Sequence, residues 1–170
     1  FRSEDLADNK KLIDQYKLAI SKPDIKQAHA IPKIMHHIWL GNKPLPALYA
    51  QYIQQWRILN PGWQYKSWTG ESIKLFPRAI QELINNSSSY HEQSDILRLA
   101  ILKQFGGLYL DADIKCFTSF DDLVASYKTI VSMDYAKRRI LNGIIAASPE
   151  NTLIKSALDD LASKFTTRYQ

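Results

Sequence analysis

Asp111-Ala112-Asp113 follows directly on the apolar run Leu108-Tyr109-Leu110. Residues two apart on an extended chain project to the same side, so the two carboxylates can converge just beyond a strand end. Two anionic oxygens there suit a hard divalent cation, Mg²⁺ or Mn²⁺, that also holds a diphosphate. The carboxyl end of a strand is also where ligands of open α/β sheets bind. A bare Asp-x-Asp is equally a common solvated turn, because Asp favours turns, and the triplet alone does not separate the two readings.

The segment upstream adds a second pair of charges. From Ile96 to Leu102 every residue except Arg98 is apolar, so this stretch belongs to a largely buried helix, yet Asp95 and Arg98 lie three apart and share a helix face. A buried charge is costly unless paired. The pair can bond mutually, or it can line a polar pocket and bind hydroxyls and phosphate. It can also be an exposed surface ion pair of little energetic consequence.

The elements that must position these residues read as an alternation. Lys33 to Leu40 is a strand-length run stopped by Gly41-Asn42-Lys43-Pro44, followed by a helix carrying Leu48, Tyr52, Ile53, Trp56 and Leu59 at three- and four-residue steps up to Asn60-Pro61-Gly62. A short strand at Gln64-Tyr65-Lys66-Ser67-Trp68 and one or two short helices broken by Pro77 come next. Ser89-Tyr90-His91-Glu92 has the form of a capping box opening a helix to Phe105, which Gly106-Gly107 closes before the strand Leu108-Tyr109-Leu110. Thr129 to Met133 and Gly143 to Ala147 are two further strands. Ser148 as cap and Pro149 at the first position start a last helix with Ile154, Ala157, Leu158, Leu161 and Phe165 on its apolar stripe. This order predicts an α/β sandwich on a mostly parallel sheet flanked by helices. Residues 1–30 read as a helical extension with Leu12, Ile13, Tyr16, Leu18, Ala19 and Ile20 at helical spacing, ahead of one domain over 31–170.

Composition narrows the partners. The 170 residues are of single-domain size, and 45% hydrophobic content supports a core. The net charge of +5 suits an anionic partner. Lys137-Arg138-Arg139 is the only basic run and reads as a solvated turn. No basic stripe accompanies the aromatics, which argues against nucleic acid. The lone Cys116 excludes an internal disulfide and a cysteine-based zinc site, and favours a reducing compartment. No stretch is long and apolar enough to span a bilayer. His36 and His37 fall on opposite faces of their strand and read as packing or surface residues, and Trp56 and Trp63 as packing.

Three motifs in order carry a resemblance. Ser94-Asp95-Ile96-Leu97-Arg98 through Gly106-Gly107-Leu108-Tyr109-Leu110-Asp111-Ala112-Asp113 closely resembles the signature of the Asp-x-Asp sugar-binding glycosyltransferases of family 32, and more distantly the large clostridial toxin glucosyltransferases. Ile31 to Gly41 is similar to the family's opening strand and Asn60 to Trp68 to its second. The resemblance implies a GT-A-like, Rossmann-like fold. It implies a nucleoside-diphosphate-sugar donor with Mn²⁺ or Mg²⁺ and transfer of the sugar to an acceptor hydroxyl with retention, the leaving diphosphate acting as base. It also implies that Asp113 binds the metal, that Asp111 contacts ribose and the metal shell, and that Asp95 bonds sugar hydroxyls. Arg98 would meet the sugar or diphosphate, Trp39 would stack on the base, and Asn142 would lie near the donor sugar, although Asn142-Gly143 is also a common tight turn.

Family catalytic domains continue past the last helix to a segment that adds a metal ligand, so the chain is expected to be truncated at its C-terminus. Expected acceptors are a glycan, a lipid-linked glycan or a protein. The expected location is cytoplasmic with membrane association for the bacterial type, or the Golgi lumen for a eukaryotic homologue with its anchor removed. Two rival readings are a catalytically inactive interaction domain of the same fold and a metal-dependent phosphohydrolase with Asp111 as nucleophile, the latter weakened by the lack of further acidic clusters downstream.

Overall fold

The computed structural model describes residues 31–134, 136–137 and 139–168, with side chains described through residue 164. The helix expected within residues 1–30 and the burial of Phe165 lie outside the described residues. The strands are β1 (Ile34–Ile38), β2 (Gln64–Trp68), β3 (Gly107–Leu110), β4 (Thr129–Asp134) and β5 (Arg139–Ala147). The helices are α1 (Ala47–Leu59), α2 (Arg78–Asn85), α3 (Tyr90–Phe105), α4 (Asp121–Ser126) and α5 (Thr152–Arg168), with a 3₁₀ turn at Gly70–Leu75.

The sheet order is β2-β1-β3-β5-β4. β1 pairs parallel with β2 and with β3, whereas β5 runs antiparallel to both β3 and β4. Four strands therefore share one direction and β5 alone opposes it, as the predicted mostly parallel sheet requires. Helices cover both faces. Ile38 and Tyr109 pack with Ile84, Ile96, Leu97, Ile101, Ile154 and Leu158 on the face of α2, α3 and α5. Met35, Leu108 and Leu110 pack with Trp56 and Val124 on the face of α1 and α4. With both faces covered, every residue of β3 is buried. His36 and His37 are both buried for the same reason, one on each face.

The α3–β3 junction sets the position of the acidic triplet. Ser89 Oγ accepts from Glu92 N, and Glu92 reaches back one residue further than a simple capping box, accepting from the Ser88 N–H and hydroxyl. At the other end Gly106 and Gly107 have φ of 62° and 96°. A Cβ on Gly107 would stand 2.5 Å from Ile34 O and 2.8 Å from His36 Nε2, so β3 lies against β1 only because this residue has no side chain. Trp68 Nε1 donates to His36 Nδ1, which leaves the ring proton on Nε2 to donate to Gly106 O at 2.9 Å.

Two details differ from the sequence expectation. Residues 148–151 form a turn, and α5 starts at Thr152 with Asn151 Oδ1 accepting from Leu153 N and Ile154 N; Ser148 does not cap it. A side-chain amide can satisfy those orphan donors as well as a hydroxyl. The last strand begins earlier than Gly143, because β4 and β5 form one long hairpin in which Asp134 faces Arg139.

Candidate active site

Residues at the carboxyl ends of β1 and β3 surround a cleft of about 400 Å³. Ile38, Trp39 and Leu40 leave β1, Tyr49 comes from α1, Tyr90, His91, Ser94 and Arg98 from α3, and Tyr109, Asp111, Ala112 and Asp113 from β3 and beyond. Such a position is dictated by topology, since parallel strands of one sheet present their loops at one end.

Arg98 is the hub. Its side chain is 7% exposed and makes an ion pair with Asp95 Oδ1 at 3.1 Å and with Asp111 Oδ1 at 3.2 Å. Its guanidinium also donates to Asn142 O at 2.6 Å and to Ser94 O at 3.2 Å, and stands 4.5 Å over the Tyr109 ring. Of the readings open for Asp95 and Arg98, the exposed surface pair is thus excluded, because the guanidinium is 7% exposed and shared with a second carboxylate at the floor of the cleft. Burial alone would be prohibitive for this charge; two carboxylates and two carbonyls compensate it.

Asp111 and Asp113 differ in environment. Asp111 Oδ1 accepts from Tyr109 OH at 2.6 Å as well as from Arg98. The backbone N–H of Asp111 donates to Gly143 O at 2.8 Å, tying the end of β3 to β5. One carboxylate oxygen is therefore oriented from two sides and Oδ2 is left. Asp113 is exposed at the mouth of the same cleft and has no hydrogen bond or ion pair among the described residues. Two oxygen donors with diphosphate and water completing the shell match the way Mg²⁺-type cations are held. Among the described residues no group of three or more His, Cys, Asp and Glu gathers as a ligand set.

Asn142 lies within β5, so the tight-turn alternative is excluded; its Nδ2 donates to Asp95 Oδ1 at 2.9 Å. Burial raises the Asp95 carboxyl above the usual carboxylate range, with Arg98 opposing and Asp111 reinforcing that shift. Burial likewise raises the Tyr109 phenol, which keeps it a hydrogen-bond donor to Asp111. Trp39 lines the cleft with its Nε1–H held by Lys43 O at 2.8 Å and Tyr49 edge-on at 6.1 Å. All six residues expected at the site are accounted for. Arg98, Asp111, Asp113 and Trp39 line the cleft, and Asp95 and Asn142 stand beside it, accessible and bonded to one another and to Arg98.

Sequence reasoning missed Tyr109, Tyr49, Tyr90, His91 and Ser94. Tyr109 was legible, since it shares a strand face with Asp111 by the same two-residue step that pairs Asp111 with Asp113. His91 and Ser94 were also legible, lying four residues before Asp95 and Arg98 respectively on the same helix sides. Tyr49 comes from a different helix, and no local pattern signals it.

The chain matches the model of the "glycosyltransferase sugar-binding region containing DXD motif" over residues 46–130. It is 30% identical over 146 residues to inositol phosphoceramide mannosyltransferase 1 of Schizosaccharomyces pombe, covering 82% of this chain and 45% of that protein. The chain spans 27% to 51% of the length of the first curated relatives it matches. The structure resembles the PaToxG glycosyltransferase with a TM-score of 0.68 at 21% identity, covering 96% of this chain and 71% of that one. It also resembles the UDP-bound glycosyltransferase domain of the YGT toxin, with a TM-score of 0.52 at 13% identity over 81% of this chain and 63% of that one. With the family model matched across the helix, glycines and triplet that build the cleft, and the fold shared with GT-A glycosyltransferase domains, the chain belongs to the glycosyltransferases with a DXD-containing sugar-binding region.

Proposed function

We propose that this chain binds a nucleoside-diphosphate sugar together with Mn²⁺ or Mg²⁺ and transfers the sugar to an acceptor hydroxyl with retention of configuration. The observation that carries this reading is the bonded set Asp95–Arg98–Asp111, whose Arg98 and Asp111 line a cleft together with Asp113 and Trp39. The UDP in one structural neighbour supports a nucleoside diphosphate as the common part of the donor.

Asp111 Oδ2 and the Asp113 carboxylate are the groups that would hold the cation. Bound there, it supplies a Lewis acid that offsets charge on the departing diphosphate. Arg98 fixes Asp111 and Asp95 in register and adds positive potential to the wall that faces the donor. Asp95, held by Arg98 and Asn142, presents its remaining lone pairs to sugar hydroxyls, and the Trp39 ring offers a flat apolar face to the base. Tyr109 orients Asp111 from below. The acceptor is a glycan, a lipid-linked glycan or a protein, and the place of work is the cytoplasm in association with a membrane for a chain of bacterial type, or the Golgi lumen for a eukaryotic one. Among the described residues no helix is long and apolar enough to cross a membrane.

The test is a panel of nucleotide sugars with and without Mn²⁺, scored for melting temperature and for release of nucleoside diphosphate. A donor at a hundred times its Kd stabilises the native state by about 2.7 kcal/mol. Metal-dependent stabilisation with slow hydrolysis of one donor is expected. Stabilisation without hydrolysis in the presence of any acceptor points to the inactive interaction domain, and equal stabilisation in excess chelator removes the metal from the reading. For Asp95, Asp95→Ala should weaken intact donor far more than bare nucleoside diphosphate, and equal weakening would remove it from sugar recognition.

A further inference from the structure

The β4–β5 hairpin is longer than the sheet it belongs to. β3 pairs with β5 only from Gly107 to Leu110, opposite Ala147 to Ile144, so β5 residues 139–143 and the facing end of β4 run on past the end of β3. They project from the same end of the sheet as Asp111 and Asp113. This projecting part is apolar and exposed: Ile140 is 62% accessible, Met133 42% and Leu141 37%. Met133 and Ile140 are direct cross-strand partners and share one face. Beyond them the tip carries Lys137, exposed, and Arg139, whose side chain is 60% accessible despite a 3.6 Å contact with Asp134.

Single exposed apolar residues need no explanation, but Met133 and Ile140 on one face of a protruding hairpin, with Leu141 on the other and Lys137 and Arg139 beside them, are a contact surface. We propose that this hairpin docks the enzyme onto an anionic membrane surface, with Met133, Ile140 and Leu141 entering the headgroup boundary and Lys137 and Arg139 meeting lipid phosphates and carboxylates. Apolar residues flanked by Lys and Arg are the pattern of interfacial binding, and the chain's net charge of +5 is of the sign that an anionic leaflet attracts. Lys137 and Arg139, read from sequence as part of a solvated turn, thus become the rim of a docking surface.

The orientation gives the surface a purpose, resting here on the proposed function. Asn142, which bonds Asp95 beside the cleft, directly follows Leu141 in the hairpin, so docking through Met133, Ile140 and Leu141 turns the cleft toward the bilayer. A hydroxyl on a lipid headgroup, or on a glycan carried by one, then reaches the donor without leaving the membrane.

The experiment is co-sedimentation of the full chain with vesicles of phosphatidylcholine alone or with about a third phosphatidylserine, at low and high salt. Binding to the anionic vesicles, weakened by salt, is expected. Lys137→Gln and Arg139→Gln should each lower the partition coefficient about 5-fold, the fold equivalent of roughly 1 kcal/mol per basic residue near the surface. Met133→Ser with Ile140→Ser should lower it at least 10-fold while leaving the melting temperature and the response to nucleotide with Mn²⁺ unchanged. That last readout separates this proposal from the proposed function, since neither Met133 nor Ile140 lines the cleft. Equal binding to both vesicle types, or variants that bind like the parent, overturns the membrane surface. Concentration-dependent dimerisation abolished by the same variants also overturns it, by assigning the face to a second copy.

Discussion

Acidification should unfold this protein through two histidines. His36 and His37 are adjacent, buried on opposite faces of the sheet, and burial holds both imidazoles well below their ordinary value of 6.5, at about 4. Lys66 repulsion adds to the effect on His36, while its bond to Gly106 O opposes it; His36 and Arg57 add to the effect on His37. Each unfolded imidazole therefore binds a proton between pH 6.5 and 4 that the folded one refuses. The unfolded state holds more protons in that window, so stability rises with pH, is complete above 6.5 and is lost as the pH falls toward 4. At 1.36 kcal/mol per pH unit, each histidine is worth about 3.4 kcal/mol across the window. Together they are comparable to the whole stability of a typical domain, about 5–15 kcal/mol. Asp95 has the opposite sign, its raised value favouring the folded state on acidification, but one half-buried carboxyl does not offset two buried imidazoles. The assay is urea unfolding at a series of pH values. The slope of stability against pH should approach about 2.7 kcal/mol per unit in mid-window and fall to about 1.4 in His37→Leu. Neither ring nitrogen of His37 has a partner, so that variant should be no less stable than the parent at pH 7. A stability that stays flat from pH 6.5 to 4.5, or a slope unchanged by His37→Leu, would falsify the argument.

Arg98→Ala should cost about 3–5 kcal/mol in urea unfolding, because it strands Asp111 and Asp95 beside a buried void; a loss below about 1 kcal/mol would show that the pair behaves as an exposed one. Gly107→Ala should cost roughly 2–6 kcal/mol, from strain at φ 96° together with a Cβ 2.5 Å from Ile34 O, and a normal melting temperature would contradict that packing. Asp113→Asn, exposed and without a described partner, should keep the parent melting temperature while losing stabilisation by nucleoside diphosphate with Mn²⁺, as read by thermal shift; unchanged metal-dependent stabilisation places the cation elsewhere.

The sequence by itself determined the alternation of strands and helices, the glycine pair that ends α3, and the triplet at the end of β3. These are local properties: hydrophobic period, capping chemistry and the missing side chains of Gly106 and Gly107 act within a few residues of one another. Asp95, Arg98, Asp111 and Asp113 were legible because each lies within one helix–turn–strand unit. Their relation was not. The choice between an exposed pair and a buried hub depended on whether β5 lies beside β3, because Asn142, 44 residues from Arg98, supplies the carbonyl that completes the guanidinium's shell. The start of β5, the cap of α5 and the contribution of Tyr49 to the cleft likewise depended on pairings between distant segments. Such contacts leave no trace in local periodicity: a residue's spacing fixes which side it faces, and only the neighbour brought by the fold decides what it meets there.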